Sequence, residues 1–244
     1  MRRSLPVAAV VVLAGCGGGT PVATTNREAP KAGFVAIPAD KRPVAPQGRY
    51  TTAHVLRRTA LRAAAGGRVV ARIGRTTEFG SERVLAVTAR RGGWLRVSAS
   101  ERRNGRSGWI RAGAARLGAT DISIHVDRSA RRLTLRRGDA VLRRFPIAVG
   151  RPGNETPLGR FAVTDRLRTD RADSPYGCCA LALTGHQTKL VPGWPGGDRL
   201  AIHGTLNEET VGTEASLGCM RAYTHDIRAL MRRVPLGAPV FVRA

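Results

Sequence analysis

Beyond about residue 51 the chain is written in short apolar runs cut by glycine, and that punctuation favours β structure almost throughout. Val69-Val70-Ala71-Arg72-Ile73, Val84-Leu85-Ala86-Val87 and Trp94-Leu95-Arg96-Val97 each have strand length, with Gly66-Gly67, Gly92-Gly93 and Asn104-Gly105 between them. Short strands separated by such turn formers predict a small barrel or sandwich over residues 51–118. Further on, Ile122, Ile124 and Val126 alternate with Ser123, His125 and Asp127, the period of a half-buried strand. His125 sits on the polar phase and is expected at the surface. Leu133 and Leu135 continue the alternation, Arg136-Arg137-Gly138-Asp139 turns the chain, and residues 140–149 return as a strand. The stretch 150–159 is dense in turn formers and leads into the strand Arg160-Phe161-Ala162-Val163. One helix is predicted near the end. Thr224 can cap it, Asp226 suits its positive end, and Ile227, Leu230, Met231 and Val234 share a face. Pro235 and Gly237 stop it before a last strand, Pro239-Val240-Phe241-Val242.

Compartment is read from the other end. Met1-Arg2-Arg3 is a charged start, Leu5 to Leu13 is apolar, and Leu13-Ala14-Gly15-Cys16 closes the run with small residues. The run is too short for a permanent membrane span and reads as a secretory signal over 1–15. Leu-Ala-Gly-Cys resembles a bacterial lipobox, which implies cleavage before Cys16, lipidation of its thiol and a hold on a membrane. Residues 16–50, with Gly17-Gly18-Gly19, several prolines and few large apolar side chains, suit a flexible tether. The expected localisation is exported and lipid-anchored, at the outer face of the cytoplasmic membrane, in the periplasm or in the cell wall. A formal charge of +24, nearly all of it arginine, suits a polyanionic surface. The arginines are scattered through every segment without an aromatic-interleaved stripe, which argues against a nucleic-acid reader.

Removing Cys16 leaves Cys178, Cys179 and Cys219, and an odd remainder in an exported chain points to a free thiol. Adjacent Cys178-Cys179 suits neither a metal nor a relaxed bridge; reduced residues and a vicinal disulfide are both open. Cys219 lies in Ser216-Leu217-Gly218-Cys219-Met220-Arg221, sixteen residues after His203 in Ile202-His203-Gly204-Thr205. A free thiol, with a pKa near 8.5, needs a base to attack a carbonyl at neutral pH, and His203 can be that base if folding joins the two. Gly218 would let backbone N–H groups approach a developing oxyanion, and Arg221 adds fixed charge. From these residues alone, a buried cysteine beside an unrelated histidine is the plainer alternative.

Longer blocks carry two resemblances. Gly92-Gly93-Trp94-Leu95-Arg96-Val97, followed by Asn104-Gly105-Arg106-Ser107-Gly108-Trp109-Ile110, resembles a bacterial SH3-like domain, with Trp94 and Trp109 expected in the core. From Asp121 to Val242 the chain resembles the L,D-transpeptidase catalytic (YkuD) domain. The blocks that carry it are Val149-Gly150, Thr156-Pro157-Leu158-Gly159-Arg160-Phe161, Ala201-Ile202-His203-Gly204-Thr205, Ser216-Leu217-Gly218-Cys219-Met220-Arg221 and Leu236-Gly237-Ala238-Pro239-Val240. The expected fold is therefore mainly β: an SH3-like barrel, then a β-sandwich-like transpeptidase domain over 119–244 with one or more short helices. The resemblance implies a cysteine acyltransferase acting on peptidoglycan stem peptides, with neither cofactor nor metal. Cys219 is then the nucleophile, His203 the base and acid, and the Gly204 carbonyl the group that orients His203. Gly218 and Cys219 N–H groups face the oxyanion, while Arg221, Ser216 and His186 are candidates to bind substrate. The family usually has histidine where Leu217 stands, and His186 is the candidate to enter the cleft instead. Hydrolysis of the same thioester (an L,D-carboxypeptidase) and a non-catalytic wall-binding lipoprotein are the alternatives.

Overall fold

The structure, a computed structural model, describes residues 33–38, 49–193 and 196–244; the expected signal segment, Cys16 and most of the expected tether lie outside these. A short strand, β1 (Phe34–Ala36), comes first. Seven strands then make one antiparallel sheet: β2 (Tyr50–Val55), β3 (Thr59–Arg62), β4 (Val69–Ile73), β5 (Val84–Arg91), β6 (Trp94–Ser98), β7 (Gly108–Arg111) and β8 (Ala115–Thr120). Their order is β4-β3-β7-β6-β5-β2-β8. Because side chains alternate across a strand, Leu95, Val97 and Ile110 face inward with Leu61, Ile73 and Leu85. The same alternation puts Trp94 and Trp109 on the outer face, half-buried, which corrects the core placement expected for them. Arg111, the cross-strand partner of Trp94, covers that indole at 4.1 Å.

The second unit comprises β9 (Ile122–Asp127), β10 (Arg132–Arg137), β11 (Ala140–Pro146), β12 (Val149–Gly150), β13 (Gly159–Thr169), β14 (Cys179–His186), β15 (Arg199–His203), β16 (Glu214–Ser216), β17 (Met220–Arg221), the helix α1 (Thr224–Arg233) and β18 (Pro239–Arg243). Its main sheet runs β11-β10-β9-β18-β13-β14-β15-β17, with β1 added on β13. The fold is mainly β, as the sequence predicts. Ile124, Leu133, Leu135, Leu181, Leu183, Leu200 and Ile202 are wholly buried together with the apolar side of α1. Each such side chain contributes about 1.5–3 kcal/mol.

Three local expectations are corrected. The strand predicted over 140–149 breaks after Pro146, and Ala148 instead bridges Arg221, the last residue of β17. Thr224 is the first helical residue rather than the cap; Tyr223 holds the cap position without a side-chain capping bond, and the Thr224 N–H donates instead to the Glu208 carboxylate at 3.3 Å. His125 is half-buried, not exposed: its ring stacks on Phe241 at 4.9 Å and meets the Ser123 hydroxyl at 3.0 Å.

Candidate active site

The site is built where two parallel strands end. β15 and β17 pair with Ile202 opposite Met220 and His203 opposite Arg221, so the histidine and the residues around Cys219 meet at one edge of the sheet. The Ala222 N–H closes the pairing on the His203 carbonyl at 2.9 Å. The Cys219 sulfur packs over β15, donating to the Arg199 carbonyl at 3.8 Å. It makes no hydrogen bond to His203, among the described residues.

His203 is buried, 4% exposed. Its Nδ1 lies 2.5 Å from the Gly204 carbonyl, which can only accept, so Nδ1 carries the hydrogen and Nε2 keeps its lone pair. Burial pulls the imidazole pKa down to about 4, the Gly204 contact opposes this, and Arg221 adds to it. The ring is therefore a neutral base at pH 7. Tyr176 packs edge-on against it at 5.0 Å, and burial followed by the nearby Cys219 pushes that phenol up to about 12. Gly177, in the left-handed region, follows Tyr176 where any side chain would meet the Gly204-Thr205 backbone.

Cys219 retains some surface, yet the atoms packed round its sulfur push the thiol pKa up; the Ala201 N–H and Arg221 oppose that rise. The resting pair is thus a thiol and a neutral imidazole, not an ion pair. Cys178 and Cys179 are joined as a vicinal disulfide, which leaves Cys219 the free thiol among the described residues. Those residues hold no cluster suited to a metal ion.

The loop before Cys219 is fixed by hydroxyls. Ser216, 1% exposed, accepts from the Gly218 N–H at 3.0 Å and donates to the Cys219 carbonyl at 2.6 Å. The Ser216 hydroxyl is thus engaged on both sides within the turn rather than aimed into the cleft. The same bond occupies the Gly218 N–H, which corrects its assignment as an oxyanion donor. The Cys219 N–H makes no hydrogen bond among the described residues and stays available for that role. Thr156, wholly buried, accepts from the Gly150 N–H at 2.9 Å and donates to the Gly218 carbonyl at 2.8 Å. The Thr-Pro-Leu-Gly block is thereby tied to the loop that carries Cys219.

His186 does not enter the site. Its Nε2 meets the Ser100 carbonyl at 2.6 Å and its Nδ1 stands 3.1 Å from Asp198, both away from the thiol. The neighbouring Gln187 goes there instead, its Nε2 donating to the Leu217 carbonyl at 2.5 Å and to that of Asn154 at 3.0 Å. Gly218, at φ +118°, leaves the room that this carboxamide fills. Arg221 has no acidic partner among the described residues, although its charge is felt by both His203 and Cys219. Sequence reasoning missed Tyr176, Gln187 and Thr156 as parts of the site. For Thr156 the signal was its place in a named block, while Tyr176 and Gln187 carry no local pattern.

Residues 121–242 match the model of the YkuD family, the L,D-transpeptidase catalytic domain. The Bacillus subtilis L,D-transpeptidase-family protein YkuD is 32% identical over 119 residues, which cover 49% of this chain and 64% of that protein. Its Bacillus licheniformis counterpart is 30% identical over the same shares. The chain thus spans just under two thirds of the length of these relatives. Among solved structures, an L,D-transpeptidase from Mycobacterium smegmatis aligns with a TM-score of 0.44 at 17% identity, over 67% of this chain and 91% of that one. The catalytic domain of the E. faecium L,D-transpeptidase aligns at 0.37 and 21% identity, over 51% and 98%.

Proposed function

This chain belongs to the L,D-transpeptidase catalytic-domain family, and on that premise we propose that it is an exported enzyme joining peptidoglycan stem peptides by 3→3 cross-links. The observation that carries the reading is the strand pairing that sets His203, its Nε2 lone pair free, beside the residues flanking Cys219.

In the proposed cycle the Cys219 sulfur swings from the Arg199 carbonyl toward a bound stem. It attacks the carbonyl between the third and fourth residues of that stem as its proton passes to His203 Nε2. The Cys219 N–H stabilises the oxyanion, a contribution worth about 3 kcal/mol for one donor. Collapse breaks the peptide bond, and the leaving D-alanine amine takes the proton back from His203, leaving a thioester. A side-chain amine of a second stem then attacks the thioester; His203 accepts its proton and returns it to the departing sulfur. Arg221, without an acidic partner among the described residues, would bind a substrate carboxylate.

The remaining steps of the reading concern delivery. Lipidation at Cys16 would hold the enzyme at a membrane, with residues 16–50 as tether and the β2–β8 sheet as an SH3-like unit over 51–118. Cys219→Ala is expected to abolish 3→3 cross-linked product from purified tetrapeptide stems, read by mass spectrometry of the muropeptides. Unchanged cross-linking by that variant overturns the mechanism. Parallel reactions with and without an acceptor amine separate transfer from hydrolysis, and tripeptide as the sole product would make the enzyme an L,D-carboxypeptidase.

A further inference from the structure

The loop that carries Cys219 is gripped from outside its own sheet. Between β6 and β7, the Asn104 carboxamide pairs with both backbone groups of His186, donating to its carbonyl at 2.6 Å and accepting from its N–H at 2.9 Å. The Ser100 carbonyl holds the His186 ring from the same loop. One residue on, Gln187 binds the Leu217 carbonyl and covers Gly218. A second grip starts between β4 and β5, where Glu78 ion-pairs with Arg199, whose side chain is only 11% exposed and whose carbonyl receives the thiol. Beside Glu78, Phe79 packs in the same apolar cluster as Cys219 and meets Phe34 edge-on at 6.3 Å. Phe34 in turn lies 5.1 Å from Tyr176, the ring against His203.

We propose that the β2–β8 unit is a working part of the catalytic site: its two loops hold Gln187 and Arg199, the Gln187 side chain braces the Cys219 loop, and the Arg199 backbone carbonyl seats the Cys219 sulfur. The inference rests on Cys219 being the nucleophile. Ser216 and Thr156 fix the Gly218 backbone and the Cys219 carbonyl, but Leu217 offers no side-chain hydrogen bond, and its carbonyl is held by Gln187. A nucleophile displaced by about 1 Å loses up to about a hundredfold in rate, so an external clamp has a catalytic consequence. Asn104 and Glu78 act one step further back, through His186-Gln187 and through Arg199. All four are positioning residues.

The test uses the full chain with Gln187→Leu, Asn104→Leu and Glu78→Gln, each checked for an unchanged thermal melt, with Trp109→Ala on the outer face of the same unit as the control. Two readings are taken. One is kcat and KM for a tetrapeptide stem. The other is the pH profile of Cys219 alkylation by iodoacetamide, followed by mass spectrometry. Gln187→Leu is expected to lower kcat about tenfold with KM within about twofold, since the geometry of the Cys219 nucleophile is lost but not the binding surface. Alkylation should become faster at neutral pH, its midpoint falling toward that of an ordinary thiol as the sulfur leaves its packed seat. Asn104→Leu and Glu78→Gln should move both readings the same way by less. Asn104→Leu combined with Gln187→Leu should be no worse than Gln187→Leu alone, because they share one path. If Asn104→Leu and Glu78→Gln both match the Trp109→Ala control in both readings, or if the Asn104 and Gln187 effects add in full, the proposal fails. Alkylation shifts in a protein that forms no cross-links at all would uphold the clamp and sink the transpeptidase reading instead.

Discussion

Replacing Thr156 by valine isolates a single hydroxyl. The two side chains have nearly the same shape, so the change removes one oxygen and little volume. Among the described residues that oxygen is the only partner of two buried backbone groups, the Gly150 N–H and the Gly218 carbonyl. Thr156 is 0% exposed, so water does not replace it without local opening. Leaving one buried polar group unsatisfied costs about 1–3 kcal/mol, and two such groups, partly relaxed, about 2–4 kcal/mol. Against a total stability of about 5–15 kcal/mol the protein stays folded. With a urea slope of about 2 kcal/mol per molar, the midpoint of the transition followed by circular dichroism falls by about 1–2 M. Because the Gly218 carbonyl borders Cys219, the proposed nucleophile, kcat should drop as well. Thr156→Ser keeps the oxygen and loses one methyl, about 1 kcal/mol, and should retain most activity. A valine variant within about 0.2 M of wild type in that midpoint, or a serine variant as damaged as the valine one, would refute the reasoning.

Three further outcomes follow from the same geometry. His203 titrates near 4 when folded and near 6.5 when unfolded, so the unfolded chain takes up a proton first as pH falls. The stabilising contribution is complete above about pH 6.5 and is lost between there and about pH 4, amounting to roughly 3 kcal/mol; His203→Gln should flatten that slope in chemical melts taken across the window. Gly218→Ala forces a side chain onto a left-handed backbone and into the Gln187 carboxamide, so purified protein should fold yet lose at least about tenfold in kcat, measured by product formation. Arg143 donates to Asp226, which is 3% exposed in its side chain while Arg143 itself is 41% exposed. Arg143→Met should cost about 2 kcal/mol, less than for a fully buried pair, and Asp226→Asn in the same chain should return part of it in a thermal melt.

How much of this was legible in the sequence divides along a physical line. Strands written by alternation were readable: Ile122, Ile124 and Val126 bury as their period demands, and Leu95 and Val97 do the same. The pleat also decided against Trp94 and Trp109 as core, because residue size argued for burial while strand phase put both indoles outside. Cys219 and His203 stood out because thiol and imidazole chemistry is rare in this chain. Their supports did not. Tyr176 and Gln187 act through contacts between segments far apart in sequence, and no periodicity reports such a contact. Ser216 was readable as part of the motif, but its role was not: a hydroxyl aimed at its own turn and one aimed at substrate look alike in one dimension.

The electrostatics of the site give the last step. A cationic surface suggests a thiol kept ready as thiolate by surrounding arginines. The site is arranged otherwise: burial lowers the imidazole and raises the thiol, so the pair rests neutral, and Arg221 shifts both groups in the same direction. A charge present that early would need solvation that this cleft does not supply. In the proposed cycle charge therefore develops only as sulfur meets the substrate carbonyl, when the proton has His203 Nε2 to go to and the oxyanion has the Cys219 N–H. That order makes the position of the sulfur, rather than its acidity, the quantity the fold must control. It gives a physical reason for the density of fixed contacts on residues 216–221: Ser216 and Thr156 from within the unit, and Gln187 and Arg199 from its border with the neighbouring sheet.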